Sequence, residues 1–98
     1  MINAEDLVDN EFLRQYELKV GEQLMKIEYA SQDRKIFLTK LEIPEDIHTK
    51  ELEEEFLTVV LQHISELNVS VVPTSPPIAK FIRSNRKYKR MLPVGVRI

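Results

Sequence analysis

Few side chains in this sequence can do covalent or acid–base work, and their spacing narrows the chemistry quickly. The chain has no cysteine, which excludes thiolate nucleophiles, thiolate zinc sites and disulfides together and fits a reducing compartment. His48 and His63 lie fifteen positions apart with no carboxylate or thiolate cluster around them, which argues against a metal centre. Ser75 precedes Pro76-Pro77. Its hydroxyl is a weak nucleophile unless a base activates it, and spacing sets neither histidine beside it. The same serine suits a helix N-cap. Glu51, Glu53, Glu54 and Glu55 crowd four carboxylates into five positions, while Lys80, Arg83, Arg86 and Lys87 form a basic stretch suited to phosphate.

Charge is divided along the chain. All sixteen acidic residues and seven basic ones lie before Leu67, a net of −9; the remainder carries seven basic residues and no acidic one, a net of +7. Two readings stand: an anion-handling C-terminal third, or a basic end that docks on the acidic helix. The overall charge of −2 and the lack of a nucleic-acid motif argue against nucleic acid as the partner. No apolar run reaches the roughly 18–20 residues that span a bilayer. The start lacks the basic and apolar regions of a signal peptide, so a cytoplasmic, single-domain protein over residues 1–98 is expected.

The elements that must position these residues follow from periodicity. Residues 1–10 read as a polar, flexible start. Phe12, Arg14, Tyr16, Leu18 and Val20 alternate as a strand, and Gly21-Glu22 turns the chain. Leu24 to Tyr29 forms a second strand, Ser31 to Arg34 the next turn, and Lys35 to Ile43 a third strand stopped at Pro44. The period then changes. Leu52, Phe56, Leu57, Val60, Leu61, Ile64 and Leu67 recur at helical spacing. Thr49 is the N-cap, Glu51 and Glu53 sit in the first turn, and Asn68 is the expected end. Val69 to Val72 is a short strand, parallel to its predecessor because a long helix separates them. A second helix opens at Ser75-Pro76-Pro77 with Ile78, Phe81 and Ile82 on its apolar face, followed by the basic segment Asn85 to Arg90. Residues 93–98 add an edge strand around Val94 and Val96, or stay loose. The fold class is α/β with a mixed sheet: antiparallel meander, crossover helix, parallel strand, second short helix.

An ordered set of short pieces runs through the chain: Tyr16-Glu17-Leu18 with Gly21, Ile27-Glu28-Tyr29, Glu42-Ile43-Pro44, Val71-Val72-Pro73, Pro76, and Ala79 with Phe81-Ile82-Arg83 running to Tyr88. On these pieces the chain resembles, from Tyr16 to Leu92, the small, single-domain branch of the GNAT-type N-acetyltransferases. The resemblance implies a GNAT-like fold and acetyl transfer from acetyl-CoA to an amine. It also implies a pyrophosphate seat at the start of the crossover helix, where unpaired N–H groups face the anion.

Three departures bear on that implied chemistry. The alternating glycines of the family's phosphate loop fall here on Thr49, Glu51 and Glu53, whose side chains and charge oppose a pyrophosphate. Members often carry cysteine where Ser75 stands, and His-Thr-Glu where this chain has Lys40-Leu41-Glu42. The resemblance therefore implies Ser75 and Glu42 as catalytic candidates, Glu42 as a general base or as solvent-facing strand. Ile43, Thr49, Lys50, Glu51, Leu52, Glu53 and Arg83 are the implied cofactor contacts. The expectation is a weak or inactive acetyltransferase with an unknown amine acceptor. The alternative is a non-catalytic domain on the same scaffold that binds a protein or other ligand.

Overall fold

The computed structural model describes residues 2–96. Its elements are β1 (Val8–Asn10), β2 (Gln15–Val20), β3 (Gln23–Gln32), β4 (Lys35–Glu42), α1 (Lys50–Ser65), β5 (Ser70–Pro73), α2 (Pro76–Ser84) and α3 (Arg86–Lys89), with 3₁₀ turns at Ala4–Asp6 and Glu45–Ile47. The sheet order is β1-β2-β3-β4-β5. Its first three pairings are antiparallel, and β4 pairs β5 in parallel across the crossover helix α1. This is the mixed-sheet α/β architecture that the periodicity predicts.

Alternation puts Tyr16, Leu18, Met25, Ile27, Ile36, Leu38 and Val71 on one face of the sheet, all buried. Phe56, Leu57, Val60, Leu61 and Ile64 of α1 cover that face with no exposure, and Ile78 and Ile82 of α2 complete the same core. Burial of each such side chain stabilises the fold by about 1.5–3 kcal/mol, more than helix propensity contributes. The opposite face carries cross-strand rows of charge, with Glu17 beside Lys26 and Lys26 beside Glu42.

The structure departs from the sequence reading at the element ends. Residues 2–10 are built into the fold: Asn3 caps the first 3₁₀ turn, the Ile2 amide donates to Glu55 Oε2 at 3.1 Å, and β1 adds an edge strand. Phe12 lies outside β2 and is exposed, because the Asn10 side chain accepts the Leu13 amide and Arg14 turns through φ 56. The β3–β4 turn is tighter than Ser31 to Arg34, since Gln32 still pairs with Lys35. Helix α1 stops at Ser65; Leu67 falls in the turn beyond it and Asn68 there takes φ 59. Residues 93–96 form a turn closed by the Val96 amide on the Pro93 carbonyl, not an edge strand, and residues 97–98 of the expected tail lie outside the described residues.

Candidate functional site

The two parallel strands separate. β5 pairs only with Lys35 to Leu38, while β4 runs on to Glu42. Two causes act together. Pro73 has no N–H with which to extend the ladder. On the β3 side the register slips, since Tyr29 opposes Leu38 but Glu28 opposes Lys40, which leaves Thr39 as the extra residue of a bulge. The Thr39 hydroxyl donates to the Glu28 carbonyl at 3.1 Å and holds the bulge in place.

The point of separation is tied by one oxygen. The Leu38 carbonyl accepts the Thr74 amide at 3.0 Å, the Thr74 hydroxyl at 3.2 Å and the Ser75 amide at 3.3 Å. Beyond it β4 runs on to Glu42 without β5, and this separation of the two strands is the notch. Both helices start at this end of the sheet, since α1 follows β4 and α2 follows β5. Ligands in open α/β sheets bind outside the carboxyl ends of the strands, and the notch occupies that place.

Ser75 is the N-cap residue of α2 and is 6% exposed, yet its side chain makes no cap hydrogen bond. Backbone bonds hold it instead, through the Leu38 carbonyl and through its own carbonyl, which accepts the Ala79 amide at 2.9 Å. No described residue bonds its hydroxyl, which sits where β5 and β4 part. Pro76 and Pro77 occupy the first turn of α2 and contribute no N–H donors there.

The start of α1 is built differently. Thr49 caps it as expected, its hydroxyl accepting the Leu52 amide at 3.0 Å and its carbonyl the Glu53 amide at 3.0 Å. Only Lys50 and Glu51 therefore present first-turn N–H groups with no partner inside the helix. The Glu53 carboxylate folds back onto His48 Nε2 at 2.8 Å. A groove of about 430 Å³ runs between the helices, lined by Lys50, Glu53 and Glu54 on one side and by Pro77, Lys80 and Ser84 on the other. Glu51 faces a separate groove with Ile2 and Val59. Arg83 is exposed on the last turn of α2 and does not line the inter-helix groove; Lys80, a turn earlier, does.

Ile43 is half-buried just past β4, where Leu41 and Ile43 pack against the core. Glu42 points to the opposite face of the sheet. It bonds Lys40 Nζ at 2.8 Å and Lys26 Nζ at 3.4 Å. The Lys40 hydrogen bond holds its carboxyl below the ordinary range, which makes it a poor proton acceptor near neutrality. His63 meets Tyr16 edge-on at 5.6 Å. Among the described residues no cluster of three or more metal-ligating side chains forms.

The structure brings Ile43, residues 49–53 and Ser75, which the resemblance implied as site residues, to the one end of the sheet where β4 and β5 finish. The sequence reading missed the bulge at Thr39 and the knot at Leu38, while both lysines of the groove, Lys50 and Lys80, are among the residues it named. The bulge had a signal. Core-facing residues along β4 and just past it run Ile36, Leu38, Leu41, Ile43, so one step in a strict alternation is three instead of two.

A sequence model of the family described as GCN5-related N-acetyl-transferase matches residues 15–91, from the first residue of β2 through α3. No curated protein matches the chain.

Proposed function

Because the chain belongs to the GCN5-related N-acetyltransferase family, we propose that its notch receives the thioester arm of acetyl-CoA and that an amine is its acetyl acceptor. The observation that carries this reading is the separation of β4 from β5 at Leu38, with the unbonded Ser75 hydroxyl at its apex. An extended ligand can add to the strand edge that β5 leaves open beyond Leu38.

Acetyl-CoA would supply an activated acetyl group, and the chain's contribution is to bind and orient it. Ser75 offers a hydroxyl as hydrogen-bond donor to the thioester. Among the described residues no base bonds it, so donation suits it better than nucleophilic attack. Glu42 is ion-paired on the other face of the sheet and is assigned no proton transfer.

The phosphate end fits less well. Two N–H groups and the Lys50 and Lys80 side chains favour an anion there, while Glu53 and Glu54 line the same groove and oppose it. At an effective dielectric near 20, unit charges about 4 Å apart interact by about 4 kcal/mol, reduced by solvent exposure. The reading is thus an acetyltransferase scaffold with weak hold on the cofactor's pyrophosphate. The Thr49 cap and the Glu53–His48 contact also favour a second reading, a non-catalytic binding domain whose helix start is satisfied internally.

Titration of acetyl-CoA against isotopically labelled protein tests the proposal. The expected result is saturable amide shifts in residues 43–53 and at Ser75. No response at millimolar acetyl-CoA defeats the acetyltransferase reading and leaves the second.

A further inference from the structure

A different cavity, of about 520 Å³, opens at the opposite end of the sheet, where β4 and β5 begin. Asp9, Glu11, Arg14, Tyr16, Tyr29 and Ser31 line it. Ile36 borders it as well, and that position lies five steps along β4 from Leu41, about 16 Å of strand. It is a separate site, and nothing about it depends on acetyl transfer.

Its chemistry is unusual for a surface depression. Tyr16 and Tyr29 stack with ring centroids 4.6 Å apart, and the Tyr29 hydroxyl donates to Asp9 Oδ1 at 2.6 Å. Tyr16 is 1% exposed and lines the cavity, yet no described residue bonds its hydroxyl. That hydroxyl is not fully enclosed: it reaches the cavity and can donate to a group bound there. Burial raises the Tyr16 phenol above its ordinary value, and the charges of Asp9, Tyr29 and Glu11 raise it further, so it stays protonated and able to donate.

Opposite charges share the cavity without meeting. Among the described residues neither Glu11 nor Arg14 enters an ion pair, although both line the same space. Arg14 is fixed by its backbone, which takes φ 56 while its carbonyl accepts the Tyr29 amide at 2.9 Å. A non-glycine residue in the left-handed region is uncommon, and such residues cluster where function constrains the chain.

We infer that this cavity binds a small zwitterion, its ammonium group held by Asp9 and Glu11 against the tyrosine pair and its carboxylate held by Arg14 and the Tyr16 hydroxyl. Aromatic faces and carboxylates both favour an ammonium, and a guanidinium matches a carboxylate in two-point geometry.

The probe set is γ-aminobutyrate, n-butylamine and butyrate, the last two lacking one charge each. Each is titrated against the labelled protein, following the amides of Asp9, Glu11, Arg14 and Tyr29. The expected result is saturation by γ-aminobutyrate, with either singly charged probe about three- to tenfold weaker. Glu11→Gln brings the zwitterion to the level of butyrate, and Arg14→Gly to that of butylamine. Glycine accepts the positive φ at position 14, so the second variant keeps its fold. Equal binding of all three probes, unchanged affinity in both variants, or no saturation at millimolar probe overturns the assignment.

Discussion

The amide of Ser75 lies 3.3 Å from the carbonyl oxygen of Leu38, the last residue of β4 that still has a partner on β5 or beside it. A helix-capping serine is normally held by its side chain; here the backbone holds the residue and the hydroxyl is left over. The same contact fixes where the parallel strands part, so the position of the hydroxyl and the shape of the notch have one cause.

Ser75→Ala therefore separates structure from chemistry. Loss of a working serine cap costs about 1 kcal/mol. Because Ser75 makes no cap bond, the variant is expected to lose less than about 0.5 kcal/mol in a denaturant titration. Acetyl transfer is expected to fall roughly tenfold, the worth of one hydrogen bond made in the transition state. A large stability loss with unchanged transfer would show the hydroxyl to be structural.

The start of α1 yields the second prediction. Glu51→Gly with Glu53→Gly removes two carboxylates and the side-chain volume beside the Lys50 and Glu51 amides. Acetyl-CoA affinity is expected to rise about tenfold or more by calorimetry, while the melting temperature falls, since each helical glycine costs up to about 1 kcal/mol. Affinity that stays flat while stability drops would locate the obstacle elsewhere.

Much of this arrangement was legible from residue types. Thr49 with acids two and four positions on reads as a helix start and forms one. The crossover from β4 to β5 follows from helix length alone. What sequence could not give was the depth of the split. That depends on how many residues of β5 find partners before Pro73, a tertiary quantity. Local side-chain competition also moved the ends: Asn10 captured the Leu13 amide and pulled Phe12 out of a strand that alternation had extended through it. The cavity between Asp9 and Tyr29 joins residues twenty positions apart, and no local pattern announces it.

Glu42 and Lys40 make a pH-dependent pair on the open face of the sheet. The Glu42 carboxyl is held below its ordinary 4.5, first by the Lys40 hydrogen bond, and Lys40 is raised above 10.5 by the same bond. The depressed carboxyl contributes stability above its unfolded value that is lost as pH falls through the folded one. The raised amine contributes below its unfolded value and loses this as pH rises. Both contributions coexist between 4.5 and 10.5 and are weak, because the pair is exposed to solvent and salt. In Lys40→Gln the Glu42 carboxyl is expected to titrate closer to 4.5 by NMR. A Glu42 titration unmoved by that change, or already at the ordinary value in the parent, would contradict the pairing.

The β3–β4 hairpin stores a cost that can be removed. Gln32 pairs with Lys35, so Asp33-Arg34 is a two-residue loop, and both residues take positive φ, 51 and 62. Such loops favour Asn-Gly because each non-glycine residue in the left-handed region costs about 1–2 kcal/mol. Arginine at the second position has neither the short polar side chain nor the missing Cβ that relieve this. Asp33→Asn with Arg34→Gly is expected to stabilise the protein by about 0.5–1.5 kcal/mol, the strain relieved less the larger entropy of glycine in the unfolded chain. For a domain of this size that raises the melting temperature by several degrees, at about 4–8 °C per kcal/mol. The hairpin lies at the far end of β4 from the notch, so acetyl-CoA titrations on the variant should match the parent. A melting temperature that stays level or falls would mean that the Asp33 and Arg34 side chains stabilise the turn by more than the strain costs.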